Sequence, residues 1–261
     1  MKRACGCFFI LVFFLTACAT DMAMNKRKAE DKRKIAGAYI GQKNYTEALK
    51  ELLDAEKLYP DDPELQNELG FVYMEKEKPD LAIQHLRRAL ELKPDYSAAK
   101  NTLGVAYMKN EQWDEAITCF KGLSENLLYT TPQYPLFNLG WAYYQKKDFA
   151  QSEKYYKKAI GLFDEGQNKD AAYIKALHGL SLTYTATGRS REAVVLLEKA
   201  VQFAPRIAEL YFDLGRAYIM AQEYPKALKA YNKVIELIPD RSLAREATIA
   251  AEEIKRTYNL K

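Results

Sequence analysis

The sequence predicts an all-α fold, a right-handed superhelical solenoid of six helix-turn-helix repeats closed by a C-terminal capping helix. Three observations predict it. First, Leu69-Gly70-x-x-Tyr73 with Ala82, Leu86, Ala89 and Pro94 returns 34 residues later as Leu103-Gly104-x-x-Tyr107 with Ala116 and Phe120. The same spacing reappears as Leu214-Gly215-x-x-Tyr218 with Ala227, Tyr231 and Pro239. A unit of this length is one helix pair that cannot bury its apolar face alone, so neighbours must stack. Second, proline is barred from helix interiors, and every proline falls at an expected boundary. Pro60, Pro94, Pro205 and Pro239 close repeats, Pro79 and Pro225 mark turns within them, and Pro63, Pro132 and Pro135 open them or lie between them. Third, 48% hydrophobic and 28% charged residues exclude both a disordered chain and a polytopic membrane protein.

In chain order, residues 1–17 read as an export leader. Met1-Lys2-Arg3 is a positive start, and Phe8 to Leu15 is an apolar core too short to span a bilayer. Leu15-Thr16-Ala17-Cys18 resembles the bacterial lipobox, which implies that Cys18 is diacylated and heads the mature chain. An ordinary secretory signal cut near Ala17 or Ala19 is the alternative. Acyl chains on Cys18 would anchor the chain, each buried CH₂ contributing about 0.8 kcal/mol. Residues 18–28 form a membrane-proximal linker. The bases Lys26-Arg27-Lys28 and Lys32-Arg33-Lys34 read as the solvated start of a helix rather than a lipid-binding patch. With Cys5 and Cys7 in the leader and Cys18 acylated, Cys119 has no disulfide partner and reads as a small buried hydrophobe.

The six repeats occupy residues 29–62, 63–96, 97–130, 133–166, 174–207 and 208–241. Repeat one aligns on Ala36, Tyr39, Ala48 and Leu52, and repeat four on Gly140, Tyr143, Ser152 and Tyr156. Repeat five aligns on Ser181, Tyr184, Ala193 and Leu197. Gly70, Gly104, Gly140 and Gly215 in the first helix lie opposite the small residue of the second, Ala82, Ala116, Ser152 or Ala227, and Ser181 opposite Ala193. Small residues facing each other let two helix axes approach closely. Two connections are long: Gly104 to Gly140 is 36 residues and Gly140 to Ser181 is 41. The first holds the turn Tyr129-Thr130-Thr131-Pro132, and the second the polar run Asp164 to Asn168, expected merely to join. Residues 242–261 supply the capping helix, opened by Ser242.

Catalytic constellations are missing from the sequence. His85 and His178 stand in different repeats without metal-ligand spacing, and no phosphate loop, nucleophile elbow or H-E-x-x-H motif occurs. The chain is expected to be no enzyme, with no cofactor, no metal and no small-molecule substrate. A net charge of +4, or +2 once Lys2 and Arg3 are removed, argues against nucleic acid.

Period and small-residue positions together resemble the tetratricopeptide-repeat family over roughly residues 29–241. In that family the first helix of each repeat lines a concave groove, which the resemblance maps one and four residues after the small position and three before it. The implied partner-binding residues are Asn67, Phe71 and Met74 in repeat two, Asn101, Val105 and Met108 in repeat three, and Phe137, Trp141 and Tyr144 in repeat four. His178, Leu182 and Thr185 take these places in repeat five, and Phe212, Arg216 and Ile219 in repeat six. Large apolar side chains in a row suit peptide recognition, and asparagine amides can hold a peptide backbone. The alternative is that these side chains bury one another as core. The basic clamp of chaperone-binding members is missing.

A lipobox ahead of six such repeats, with Leu128-Tyr129-Thr130-Thr131-Pro132 leading into Phe137-Asn138-Leu139-Gly140-Trp141-Ala142, resembles the type IV pilus pilotin (PilF/PilW/Tgl) family. The resemblance implies a lipid-anchored assembly factor on the periplasmic face of the outer membrane. It would bind a pilus secretin and promote its localisation or multimerisation. Ala19 after Cys18, where an aspartate would signal inner-membrane retention, points to the same membrane. A general periplasmic scaffold for envelope or polysaccharide export is the alternative.

Overall fold

The computed structural model describes residues 5–126, 128–166 and 169–258, with side chains from residue 21 onward. Thirteen helices and no strand occur among the described residues. They are α1 (Cys5–Gly41), α2 (Tyr45–Leu58), α3 (Pro63–Glu75), α4 (Pro79–Leu92), α5 (Ser97–Lys109), α6 (Trp113–Ser124), α7 (Gln133–Gln145), α8 (Phe149–Glu165), α9 (Ala171–Ala186), α10 (Ser190–Phe203), α11 (Ala208–Met220), α12 (Tyr224–Leu237) and α13 (Ser242–Tyr258). The chain divides into two compact bodies, Met1–Cys119 and Phe120–Lys261.

Within each body consecutive helices pack as pairs. In the first, α1 lies on α2 and α3 on α4, with α2 and α4 passing each pair to the next. In the second, α7–α8, α9–α10 and α11–α12 follow the same rule, and α13 covers α12. The capping helix does this with Ala244, Ala247, Ala251 and Ile254, one buried stripe at helical spacing. Residues 259–261 lie outside the described set.

The prolines do what the sequence requires. Pro63 and Pro79 begin α3 and α4, and Pro225 is in the first turn of α12. Pro135 stands inside α7, but in its first turn, where the absent N–H has no partner within the helix to lose. The turn inside every repeat is closed by the backbone alone. In repeat two, Lys78 N–H donates to the Tyr73 carbonyl at 2.9 Å and Glu77 N–H to the Met74 carbonyl at 3.1 Å, and all six turns repeat this pair. The residue that makes the bend has a left-handed backbone: Lys43, Glu77, Glu111, Lys147 and Gln222 with φ between 57° and 62°, and Gly188 at 76°. Two carbonyls that would otherwise end each helix unpaired are satisfied, which offsets the strain of the non-glycine residues.

The repeat positions are buried. Ala82, Ala116, Ala193 and Ala227 are fully enclosed, and Gly70, Gly104, Gly140 and Gly215 are in the core. The space over Gly70, Gly140 and Gly215 is filled by the large residue one turn beyond the small one. A Cβ on Gly70 would overlap Leu86, one on Gly140 would meet Tyr156 Cγ at 2.7 Å, and one on Gly215 would meet Tyr231 Cε1 at 2.8 Å. The glycine is a hole and the leucine or tyrosine its knob.

The join of repeats four and five elaborates this. Tyr156 is fully buried and fills the hole at Gly140 on α7 and a second hole at Gly179 on α9. Beside it, the Ser152 hydroxyl donates to the Gly140 carbonyl at 2.9 Å and meets the Thr183 hydroxyl at 2.9 Å. Thr183 in turn donates to the Gly179 carbonyl at 2.9 Å. The Ser152 and Thr183 hydroxyls are thus satisfied by carbonyls of both flanking helices, whereas the buried Tyr156 hydroxyl finds no hydrogen-bond partner among the described residues. Helix α9 begins at Ala171, three residues ahead of the repeat boundary drawn at 174, because Asp170 caps it by accepting from Ala172 N and Tyr173 N at 2.8 and 3.1 Å. The polar connection before it is tied down. Asp164 pairs with Lys169 and accepts from the Tyr173 hydroxyl at 2.9 Å. Gln167 and Asn168 lie outside the described residues.

Helix α1 runs through the stretch read as leader and linker. No glycine or proline interrupts residues 7–36, and Ala, Met, Lys, Arg and Glu dominate residues 22–36. The leader 1–17 and Cys18 fall where side chains lie outside the described residues. Among the described residues no helix is long and apolar enough to cross a membrane. Part of the basic run is used internally. Lys32 pairs with Glu51 and Asp54 at 2.9 and 3.3 Å, and Arg33 with Asp62 and Glu68 at 2.6 and 3.3 Å.

Candidate partner-binding site

The implied binding residues sit on the first helices of repeats two, three and four. In the first body, α3 and α5 pack side by side and carry Asn67, Phe71, Asn101, Val105 and Met108, all half-buried. Phe71 meets Tyr45 edge-on with ring centres 6.3 Å apart. Met74 departs from the expectation: it is only 5% exposed, its unbranched thioether folded into the core. It offers a partner almost nothing.

Asn67 and Asn101 are the unusual members. Both amide oxygens are buried and find no donor among the described residues, and the two stand at the same place in successive repeats. Buried acceptors are normally paired, because an unmade hydrogen bond costs about 1–3 kcal/mol. Here the same orphaned acceptor occurs twice, in a stripe flanked by Phe71 and Val105.

In the second body, Phe137, Trp141 and Tyr144 stand half-buried along α7. Trp141 and Tyr144 stack with centres 5.6 Å apart and planes at 16°, and Phe137 leans on Tyr156 at 6.1 Å. These rings are partly packed on one another and partly exposed. His178 of repeat five is committed elsewhere, its Nε2 hydrogen-bonded to Asp213 Oδ2 at 2.7 Å. Ser181 donates to the His178 carbonyl at 2.6 Å rather than to its ring, so no nucleophile–base contact forms there.

Away from this stripe, the tyrosine three residues after the small position of repeats three to six meets a charged side chain from the preceding helix pair. Tyr107 accepts from Arg87 Nε at 2.8 Å, Lys121 lies 5.6 Å over the Tyr143 ring, and Lys157 lies 5.9 Å over Tyr184. Tyr218 closes the series by donating to Glu198. Burial, then the Glu198 contact, pushes the Tyr218 hydroxyl well above the ordinary tyrosine range. These contacts join each repeat to the one before it. Burial likewise raises the Cys119 thiol to about 11, which makes it a poor nucleophile. Among the described residues no three metal-ligating side chains converge.

Comparisons with known proteins agree with this architecture. Four sequence-family models, each described as tetratricopeptide repeat, match residues 33–97, 73–127, 131–206 and 208–241. The chloroplastic tetratricopeptide repeat domain-containing protein PYG7 of Arabidopsis thaliana is 27% identical over 123 residues, 47% of this chain and 40% of that protein. Anaphase-promoting complex subunit 3 of Schizosaccharomyces pombe is 26% identical over 115 residues, 44% of this chain and 16% of that protein. The chain therefore spans less than half the length of these curated relatives. Among solved structures, PilW, described as a widely conserved type IV pilus biogenesis factor, matches with a TM-score of 0.76 at 18% identity. That match covers 84% of this chain and 98% of PilW. PilF of Pseudomonas aeruginosa matches with a TM-score of 0.70 at 18% identity, over 86% of this chain and 98% of PilF. At these identities the likeness is one of fold. Between residues 33 and 241 the chain is an array of tetratricopeptide repeats, and its fold is that of the tetratricopeptide-repeat family.

Proposed function

We propose that this chain is a lipid-anchored, non-catalytic assembly factor of the outer membrane that binds a pilus secretin through first-helix residues of repeats two and three in the first body and, separately, of repeat four in the second. One observation carries the binding surface: Asn67 and Asn101 hold two buried, unpaired amide oxygens at equivalent places in a half-buried apolar stripe, and turning these side chains outward would offer the amides to a partner. An extended peptide offers backbone N–H groups at regular intervals, the complement such acceptors require. The likeness in fold to PilW and PilF supports a pilus component as the partner. The Leu15-Thr16-Ala17-Cys18 sequence supports the anchor.

Two experiments test this reading. Phe71→Asp with Trp141→Asp is expected to abolish secretin capture while circular dichroism stays helical, because both substitutions put charge on half-exposed positions. Asn67→Ala with Asn101→Ala should weaken capture by at least about tenfold, the loss of one to two hydrogen bonds. Normal secretin multimers in both double variants would remove the stripe from the mechanism. The anchor is tested separately. Cys18→Ser should move the protein from the membrane to the soluble fraction, and unchanged fractionation would refute lipidation.

A further inference from the structure

Repeat six carries a second surface that the stripe does not use. Lys226, Lys229 and Lys233 follow one another at spacings of three and four along α12, so they share one face. Tyr211, Leu214 and Tyr218 do the same along α11. These two rows line an open cleft of about 200 Å³, and no carboxylate is among its lining residues. The other repeats do not gather three lysines at these places, counted from the small residue of the second helix. Repeat three has Glu115, Thr118 and Gly122, repeat five has Glu192, Val195 and Lys199, and repeat four has Gln151, Lys154 and Lys158. The charge is local to repeat six rather than a property of the array.

The ammonium groups are available. Lys229 is exposed and has no ion-pair partner among the described residues. Lys226 pairs with Glu223, the residue just before α12, and Lys233 with Glu236 on α12, each three residues away. Such exposed pairs contribute little and re-form readily around a better acceptor. Lys226 also lies 5.4 Å over the Tyr218 ring, which keeps it at the cleft.

We propose that this cleft binds a phosphate group. Arginine, whose flat fork matches a planar carboxylate, is missing from the lining. Three lysines supply point charges with rotating donors, which suit a tetrahedral oxyanion offering acceptors in every direction. Tyr211, half-buried, gives a ring face for the carbon skeleton next to that phosphate, while the buried Leu214 and Tyr218 close the floor beneath it. Its source is either a small phosphate ester in solution or the headgroup of a phospholipid, and the chemistry is common to both.

Calorimetric titration of the full-length chain tests this with two probes, inorganic phosphate and dihexanoyl phosphatidylglycerol kept below its critical micelle concentration. Saturable binding of at least one is expected. Lys226→Gln with Lys229→Gln and Lys233→Gln should weaken it by at least about tenfold, the effect of removing charge-assisted hydrogen bonds. A control that loses the same charge elsewhere, Lys154→Gln with Lys158→Gln and Lys175→Gln, should bind as the native chain does. Equal affinity for both probes assigns the cleft to free phosphate, and tighter binding of the lipid assigns it to a headgroup. No saturable binding of either probe, or an equal loss in the control, overturns the proposal. Circular dichroism of both variants excludes unfolding as the cause.

Discussion

Gly179→Ala is expected to destabilise the second body by about 2 kcal/mol, a net of overpacking and a gain in helix propensity. The new methyl would occupy the volume of the Tyr156 ring end, overlapping Cζ and the hydroxyl oxygen. Tyr156 cannot retreat, since Gly140 on the opposite side is filled by the same ring. On an exposed helix the same substitution would stabilise, so the sign itself is diagnostic. Thermal unfolding should fall by about 4–8 °C, given about 2–4 °C per kcal/mol at this chain length. The control is a double-mutant cycle: in a Tyr156→Leu background, already weakened by its own cavity, Gly179→Ala should cost nothing further. An unchanged cost in that background would show that the two residues do not compete for one space.

Asp62→Ala should cost the first body about 2–3 kcal/mol, the sum of a lost helix cap and a lost charged hydrogen bond. Asp62 accepts from Glu64 N at 2.9 Å and Leu65 N at 3.3 Å, capping α3, while its other oxygen takes Arg33 at 2.6 Å. The carboxylate is almost fully buried, so Arg33 is left with Glu68 alone. Asp62→Asn keeps an oxygen for the cap and loses the charge, so it should fall between the native chain and the alanine variant. The pH dependence follows from the same cluster. Burial raises the Asp62 pKa, but Arg33 and the capping N–H groups outweigh it, and the carboxyl sits below its usual range. The unfolded chain then binds this proton more readily than the folded one. The contribution of Asp62 is complete above the ordinary aspartate pKa of about 4 and is lost as pH falls through it and below. Chemical denaturation from pH 7 to pH 3 should show this loss in the native chain and a shallower one in Asp62→Asn. Glu68 behaves oppositely, its pKa raised by burial against the pull of Arg33.

The helices were legible because three independent signals coincide at their ends. Proline, the turn after each first helix and the Gly-x-x-Tyr spacing all mark the same boundaries, and α2 to α5 and α10 to α12 start and stop there. Helix α1 was less legible, because a leader and a solvated linker made of helix-forming residues carry no stop signal. Gly179 was missed for a different reason. The repeat alignment assigns the small position of repeat five to Ser181, and Gly179 stands two residues off that frame. A glycine in a helix interior, with no turn to make, was itself the available signal of a close approach. Met74 was assigned to the surface by position, and position alone does not fix where a flexible thioether goes. The stripe of Asn67 and Asn101 could be placed from the sequence, but the unpaired state of their oxygens could not. That depends on which neighbours come within reach in three dimensions.

Repeat arrays invite the view that their modules are interchangeable bricks, to be duplicated, deleted or shuffled at will. The ring of Tyr156 makes repeats four and five an exception. It needs vacancies on two different helices, and the second lies outside the frame that every other repeat obeys. A brick inserted between them, or one taken from elsewhere in the array, would present a side chain where the ring must go. The joint is keyed. Any lengthening of this array by duplication is therefore easier at its other joints, and the order of these two repeats is fixed by a single phenol.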